Sequence, residues 1–221
     1  MCSLNFAKII KYIEGYDFED FFAYDDADNF IDYLYHVSPE YYNQEWSCQY
    51  GATKLVIIMK DENYVIKIPF HGESRDNYYI GAPTSEDFWD YCQGEEVRYN
   101  EAPDVIKQHL AKTTWVYETS NGIRLYSQPK CLVARKNHYN TKSQKTFDFF
   151  QKWWRRKKKG YALPVNHIDW LNLYIDCYGL DSLKSFFETV IEEDWDDDLA
   201  DRNIGFLDGC PVLIDYSSYW E

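Results

Sequence analysis

The residues whose types and spacing could do chemistry lie towards the end of the sequence. Asp198-Leu199-Ala200-Asp201-Arg202-Asn203 sets a carboxylate and an amide five positions apart, on a loop that leads straight into the apolar run Ile204 to Phe206. After the turn Asp208-Gly209, a second apolar run, Val212 to Ile214, ends in Asp215. A hairpin of this kind brings a carboxylate, an amide and a second carboxylate around one small volume. These are hard oxygen donors, the set that Mg²⁺ shares with phosphate oxygens. A plainer reading stands beside it: Glu192 to Asp198 is acidic enough to be a solvated loop, and Asn203 suits a turn.

A second group is cationic. Of 23 basic residues in the 221-residue chain, 11 fall within residues 130–160, against one acidic residue there, whereas the whole chain carries a net charge of −14. That segment ends in Trp153-Trp154-Arg155-Arg156-Lys157-Lys158-Lys159. Cations next to aromatics can grip phosphates and stack on bases, so nucleic-acid binding through Arg155, Arg156, Lys157 and Lys158 is one expectation. The alternative is a helix end, because cations favour a helix C-terminus and Gly160 is a natural stop. The acidic remainder excludes general nucleic-acid binding, which needs clustered cations.

Other chemistries find no support. The histidines His36, His71, His109, His138 and His167 have no ligand spacing, and no G-x-S-x-G, H-E-x-x-H or EF-hand loop occurs. Six cysteines are spread without a C-x-x-C pair, which argues against structural zinc and a disulfide scaffold and for reduced thiols in a cytoplasmic protein. The longest strongly apolar run, Leu55 to Met59, falls far short of the roughly 20 residues that span a bilayer, so no membrane contact is expected.

The elements that must position these groups follow from periodicity. Residues 4–14 and 17–36 read as helices, with Phe18, Phe21, Phe22, Phe30, Ile31 and Leu34 at helical spacing. Thr53 to Met59 and Tyr64 to Phe70 are β-branched and aromatic runs joined by Lys60 to Asn63, a hairpin. Ser85 to Asn100 reads as a helix opening on a Ser85 cap. Thr113 to Glu118 and Ile123 to Gln128 form a second hairpin about Ser120-Asn121-Gly122. Helices are expected near 143–159, 167–178 and 181–193, before the closing hairpin. Strands with one helix, then helices, then a hairpin give an α+β fold in two unequal lobes. The expected division is a helical extension over 1–45, a sheet lobe over 46–128 and a reduced helical lobe over 129–221.

With the parts in this order, the chain resembles protein kinases and the related small-molecule phosphotransferases. Their catalytic loop D-L-x-x-x-N is followed by a strand pair and a D-F-G turn. Asp198 to Asn203 is similar to the first, and Asp215-Tyr216-Ser217 stands where the second belongs. Tyr64-Val65-Ile66-Lys67-Ile68 looks like the V-A-I-K strand. Gly51 lies one strand earlier, where the phosphate-covering loop would be, and Gln128-Pro129-Lys130 occupies the place of the hinge that holds adenine. Glu96 suits the helix glutamate that pairs with Lys67, with Glu95 as its competitor.

The resemblance implies a small antiparallel-sheet lobe, a reduced helical lobe, and ATP with Mg²⁺ as cofactors. Asp198 would accept or orient the proton of the attacking hydroxyl, Asn203 and Asp215 would bind Mg²⁺, and Lys67, held by Glu96, would clamp phosphates. Gly51, Gln128 and Lys130 would contact the nucleotide. Departures bear on activity: Gly51 stands where the family has three glycines, Asp196 and Asp197 replace His and Arg, and Tyr216 and Ser217 replace Phe and Gly. The sequence ends at Glu221, before any helical platform for peptide substrates. The expected function is therefore an ATP- and Mg²⁺-dependent phosphotransferase with a small-molecule or protein acceptor, or, alternatively, an inactive relative that serves as a protein-interaction module.

Overall fold

The computed structural model describes residues 4–16, 26–51, 53–70, 90–120, 122–133, 152, 155, 168–192 and 201–216. The fold is α+β. The chain divides into two compact units, one of residues 1–96 and 113–130, the other of 97–112 and 131–221.

The first unit is built on a five-stranded antiparallel sheet of β1 (Trp46–Tyr50), β2 (Lys54–Met59), β3 (Tyr64–Pro69), β4 (Thr114–Glu118) and β5 (Arg124–Pro129), in the order β1-β2-β3-β5-β4. Alternation along each strand divides its side chains between two faces. One face presents Leu55, Ile57, Met59, Ile66, Ile68 and Leu125. Onto it pack α1 (Leu4–Glu14), through Phe6, Ile9 and Ile13, and α2 (Asp26–Val37), through Phe30 and Leu34. Their spacing of three and four residues lines up one apolar stripe on each helix. The segment read as an N-terminal extension thus belongs to the same compact unit as the sheet. A short helix, α3 (Pro39–Tyr42), capped by Ser38, leads into β1.

The opposite face is polar. In the register, Val56 lies across from Lys67, and Lys67 across from Tyr126. Lys54, two residues before Val56, is therefore the diagonal neighbour of Lys67 on the same face. This face meets the first half of α4 (Tyr91–Glu101), whose start is capped by Asp90: the Gln93 amide donates to Asp90 Oδ1 at 2.8 Å. A bulge between Trp115 and Tyr117 in β4 resets the alternation there.

The second unit holds the rest of α4, α5 (Asp104–Lys107), α6 (Ile168–Tyr178), α7 (Leu180–Glu192) and a three-stranded sheet of β6 (Leu132–Val133), β7 (Ile204–Leu207) and β8 (Cys210–Leu213). Its core joins Ile106, Leu110, Tyr174, Leu183, Phe186, Phe187, Val190, Ile204 and Leu213. Gly179, at φ 84°, closes α6 in the left-handed region that favours glycine. The expected turn Asp208-Gly209 has both residues at positive φ, the two-residue geometry whose twist suits a tight hairpin.

The expected helices near the start and in the second half recur as α1, α6 and α7, and both sheet hairpins are present. Of the helix read over 17–36, residues 26–37 are described and helical. Of the one read from Ser85, the described part runs from Tyr91. The helix read near 143–159 lies outside the described residues except for Lys152 and Arg155, both helical and exposed. Among the described residues no helix is long and apolar enough to cross a membrane.

Candidate functional site

In the first unit, the polar face of the sheet carries a buried ionic cluster centred on Glu95. The Glu95 carboxylate is 0% exposed, with Lys54 at 4% and Lys67 at 3%. Lys54 Nζ donates to Oε1 at 2.6 Å and Lys67 Nζ to Oε2 at 2.7 Å. Thr113 Oγ1 donates to Oε2 at 2.6 Å, and Gln128 Nε2 in turn donates to Thr113 Oγ1 at 3.0 Å. Carboxylates are rarely taken wholly out of water; here two ammonium groups and a hydroxyl replace the lost solvation.

Local structure explains why these residues meet. Lys54 and Lys67 share a face because they sit on adjacent antiparallel strands at positions of matching parity. Glu95 turns toward them because it lies one turn past Tyr91 and Cys92, both buried. Glu96 is rotated about 100° further round the helix. It accepts the Trp115 backbone amide at 2.9 Å. The glutamate paired with Lys67 is thus Glu95 rather than the expected Glu96, and helix phase is the reason.

The start of α4 has its own polar cluster. Tyr126 Oη donates to Asp90 Oδ2 at 2.5 Å, and Arg124 Nη1 lies 3.7 Å from the same oxygen. Burial pushes the Asp90 carboxyl up from its ordinary value, against the opposing pull of the Tyr126 hydrogen bond, the backbone amides and Arg124. Burial likewise pushes the Cys92 thiol well up, so it is a packed thiol and not a nucleophile. Gln93, Glu96, Trp115, Glu118, Arg124 and Tyr126 line a pocket of about 250 Å³ beside it.

The other expected nucleotide contacts in this unit have structural partners. Gly51 is exposed, its amide donates to the Lys54 carbonyl at 3.2 Å, and a Cβ there would meet nothing within 4 Å. The β1–β2 connection is therefore short, since β1 ends at Tyr50 and β2 opens at Lys54. Gln128 is buried and supports Thr113. Lys130 Nζ donates to the carbonyls of Met59 at 2.5 Å and Lys60 at 3.0 Å, tying down the β2–β3 turn.

In the second unit, the closing hairpin gathers two of the expected metal-binding residues. Asn203 ends a 3₁₀ turn, Asp201–Asn203, directly before β7, and Asp215 follows β8 by two residues. Ile204 pairs with Leu213, and the Ile214 amide donates to the Asn203 carbonyl at 2.8 Å, so Asn203 and Asp215 lie at the same end of one hairpin. Asn203 is buried and Asp215 half-buried. An amide oxygen and a carboxylate, brought together in this way, fit the hard-donor set that Mg²⁺ takes. Asp198, Asp196 and Asp197 lie outside the described residues.

The backbone after Asp215 is held from two sides. Arg98 Nη1, on α4, donates to the Tyr216 carbonyl, and the buried Tyr216 hydroxyl donates to the Ala111 carbonyl at 2.8 Å. Lys54, Thr113 and Arg98 thus position the candidate groups without having stood out in the sequence. Parity across the β2–β3 hairpin was the one signal that could have found Lys54.

Among the described residues no cluster of three or more His, Cys, Asp or Glu side chains forms a metal site, and none of the five described cysteines is in a disulfide. No protein-family model matches the chain, and neither a curated protein nor a solved structure matches it.

Proposed function

We propose that the chain is a two-lobed, kinase-like protein that binds ATP with Mg²⁺ and transfers a phosphoryl group. The observation that carries this reading is the buried Lys67–Glu95 pair at 2.7 Å, between the third strand of a small antiparallel sheet and the helix that follows it. The resemblance to protein kinases implies a strand lysine paired with a helix glutamate, expected at Glu96 and met here by its neighbour Glu95. Asn203 and Asp215 at one end of a hairpin add a second, independent point of likeness.

On this reading each residue has a physical task. Lys67 holds the nucleotide phosphates, and Glu95 fixes its ammonium. Asn203 and Asp215 hold Mg²⁺, which, when bound, neutralises charge on the phosphate oxygens. Asp198 accepts or orients the proton of the acceptor hydroxyl. Catalysis of this type is positioning and charge neutralisation, with little covalent work for the protein.

Calorimetric titration with ATP and Mg²⁺ tests the reading. Wild type should bind and Lys67→Met should lose about tenfold or more in affinity, the range of one charged hydrogen bond. A wild-type chain that takes up no heat of binding at millimolar ATP refutes it. Binding without consumption of ATP would favour the interaction-module reading, to which the single glycine at position 51 already points.

A further inference from the structure

We propose that the pocket beside the start of α4 binds a guanidinium group carried on a short alkyl stem. The inference does not rest on the nucleotide reading, because none of its residues belongs to the Glu95 cluster. The pocket holds about 250 Å³, below the range of drug-sized sites and suited to one side-chain-sized group, and its whole lining belongs to the first unit.

Three observations carry the assignment. First, an aromatic ring stands open. Trp115 is 52% exposed, and among the described residues no ring or cation packs on its indole. Register sets it on the polar face, since Trp115 lies across from Tyr126 and Glu118 across from Arg124. Unbroken alternation would put Trp115 and Glu118, three residues apart, on opposite sides; the bulge brings them to one. Indole is the best of the aromatic partners for a cation. Second, carboxylates flank this position from two elements. Glu96 Oε1 accepts the Trp115 amide at 2.9 Å, and Glu118 Oε2 accepts Arg124 Nε at 3.2 Å. Among the described residues the second oxygen of each carboxylate has no donor. Third, the cation of the lining is already engaged. Arg124 donates to Glu118 and to Gln93 at 3.2 and 3.1 Å and lies 3.7 Å from Asp90. Two carboxylates against one guanidinium leave the lining net negative, which repels phosphates and draws in a cation.

The arrangement suits guanidinium better than ammonium. A planar guanidinium stacks flat on indole while its in-plane N–H groups reach carboxylates at the ring's edge, whereas an ammonium is a compact, strongly hydrated point charge. A free guanidino compound and an arginine of a peptide share this chemistry, and the test separates them.

The isotope-labelled full chain is titrated with ethylguanidinium, ethylammonium and N-acetyl-arginine amide, following the Trp115 indole N–H resonance, which is assigned by its loss in Trp115→Phe. Ethylguanidinium should give a saturable shift at millimolar concentration and bind at least threefold more tightly than ethylammonium. Its methylene protons should move upfield under the indole ring, and Trp115→Leu should abolish that movement. Glu96→Gln and Glu118→Gln keep the existing hydrogen bonds and remove the charges. Neither residue is buried, so the variants keep the fold. Each should weaken binding about two- to fivefold, the span of an exposed ion pair. Binding of N-acetyl-arginine amide as tight as that of ethylguanidinium supports the site with a peptide arginine as its source; its exclusion supports the site with a free small molecule. No saturable shift in wild type overturns the proposal, as does ethylammonium binding as tightly as ethylguanidinium. Unchanged affinity in the double variant Glu96→Gln/Glu118→Gln overturns it too.

Discussion

Removing the Glu95 carboxylate is the perturbation with the largest expected consequence. Its carboxylate is fully buried and takes hydrogen bonds from Lys54, Lys67 and Thr113 at 2.6, 2.7 and 2.6 Å. Glu95→Ala strips the carboxylate from two buried ammonium groups and leaves a hydroxyl without its acceptor. Breaking a buried pair by removing one partner costs about 3–5 kcal/mol. Small domains have roughly 5–15 kcal/mol to lose, so about a fifth or more of the stability rests on one side chain. Glu95→Gln keeps the shape and one acceptor oxygen, and its cost should fall to about 1–3 kcal/mol. Glu96→Ala is the internal control: it removes one partly exposed acceptor of the Trp115 amide, worth about 1 kcal/mol or less. Urea denaturation followed by tryptophan fluorescence gives the three midpoints, with an unchanged slope certifying that stability alone has moved. The ranking Glu95→Ala, Glu95→Gln, Glu96→Ala is the prediction. A Glu95→Ala protein within about 1 kcal/mol of wild type, below the range for a broken buried pair, refutes the reasoning, as does a larger loss from Glu96→Ala.

Two further outcomes follow from other parts of the fold. His109 is buried against Tyr174, Tyr178 and Phe186, with Nε2 2.8 Å from Ser182 Oγ, and burial lowers its pKa from 6.5 to about 4. A lowered histidine pKa means that the unfolded chain binds the proton first. Its effect is absent above pH 6.5 and destabilises progressively as pH falls toward 4, by about 3 kcal/mol over the window. Urea midpoints between pH 7.5 and 4.5 should show this decline in wild type and a flatter profile in His109→Phe; equal profiles contradict the assignment. At Gly205, a Cβ would lie 2.6 Å from Cys131 Cβ and 2.9 Å from Ile214 Cγ2. Gly205→Ala should therefore destabilise by about 1–3 kcal/mol through overpacking, and a neutral thermal midpoint would sink that expectation.

Much of the frame was legible because it rests on local signals. The runs Lys54 to Met59 and Tyr64 to Pro69 are β-branched and separated by a polar turn. The Asp208-Gly209 turn names its own geometry. What was not legible depends on phase and on distance. Glu95 and Glu96 are adjacent, and only the rotational setting of α4 against the sheet decides which one faces Lys67. Strand β1 reads weakly because Ser47, Gln49 and Tyr50 are exposed along an edge strand. Lys54 carries no motif of its own; its burial comes from a helix 41 residues away in sequence. Arg98 binds the Tyr216 carbonyl across 118 residues, a contact no spacing rule reaches.

The most direct measurement is thermal unfolding of wild type and Asp215→Ala, each with ATP and Mg²⁺ singly and together. A ligand at about 100 times its dissociation constant stabilises by roughly 2.7 kcal/mol, or about 5–10 °C for a chain of this size. The account predicts that shift in wild type only when both ligands are present, and its loss in Asp215→Ala. A wild-type midpoint that neither ligand moves contradicts the account.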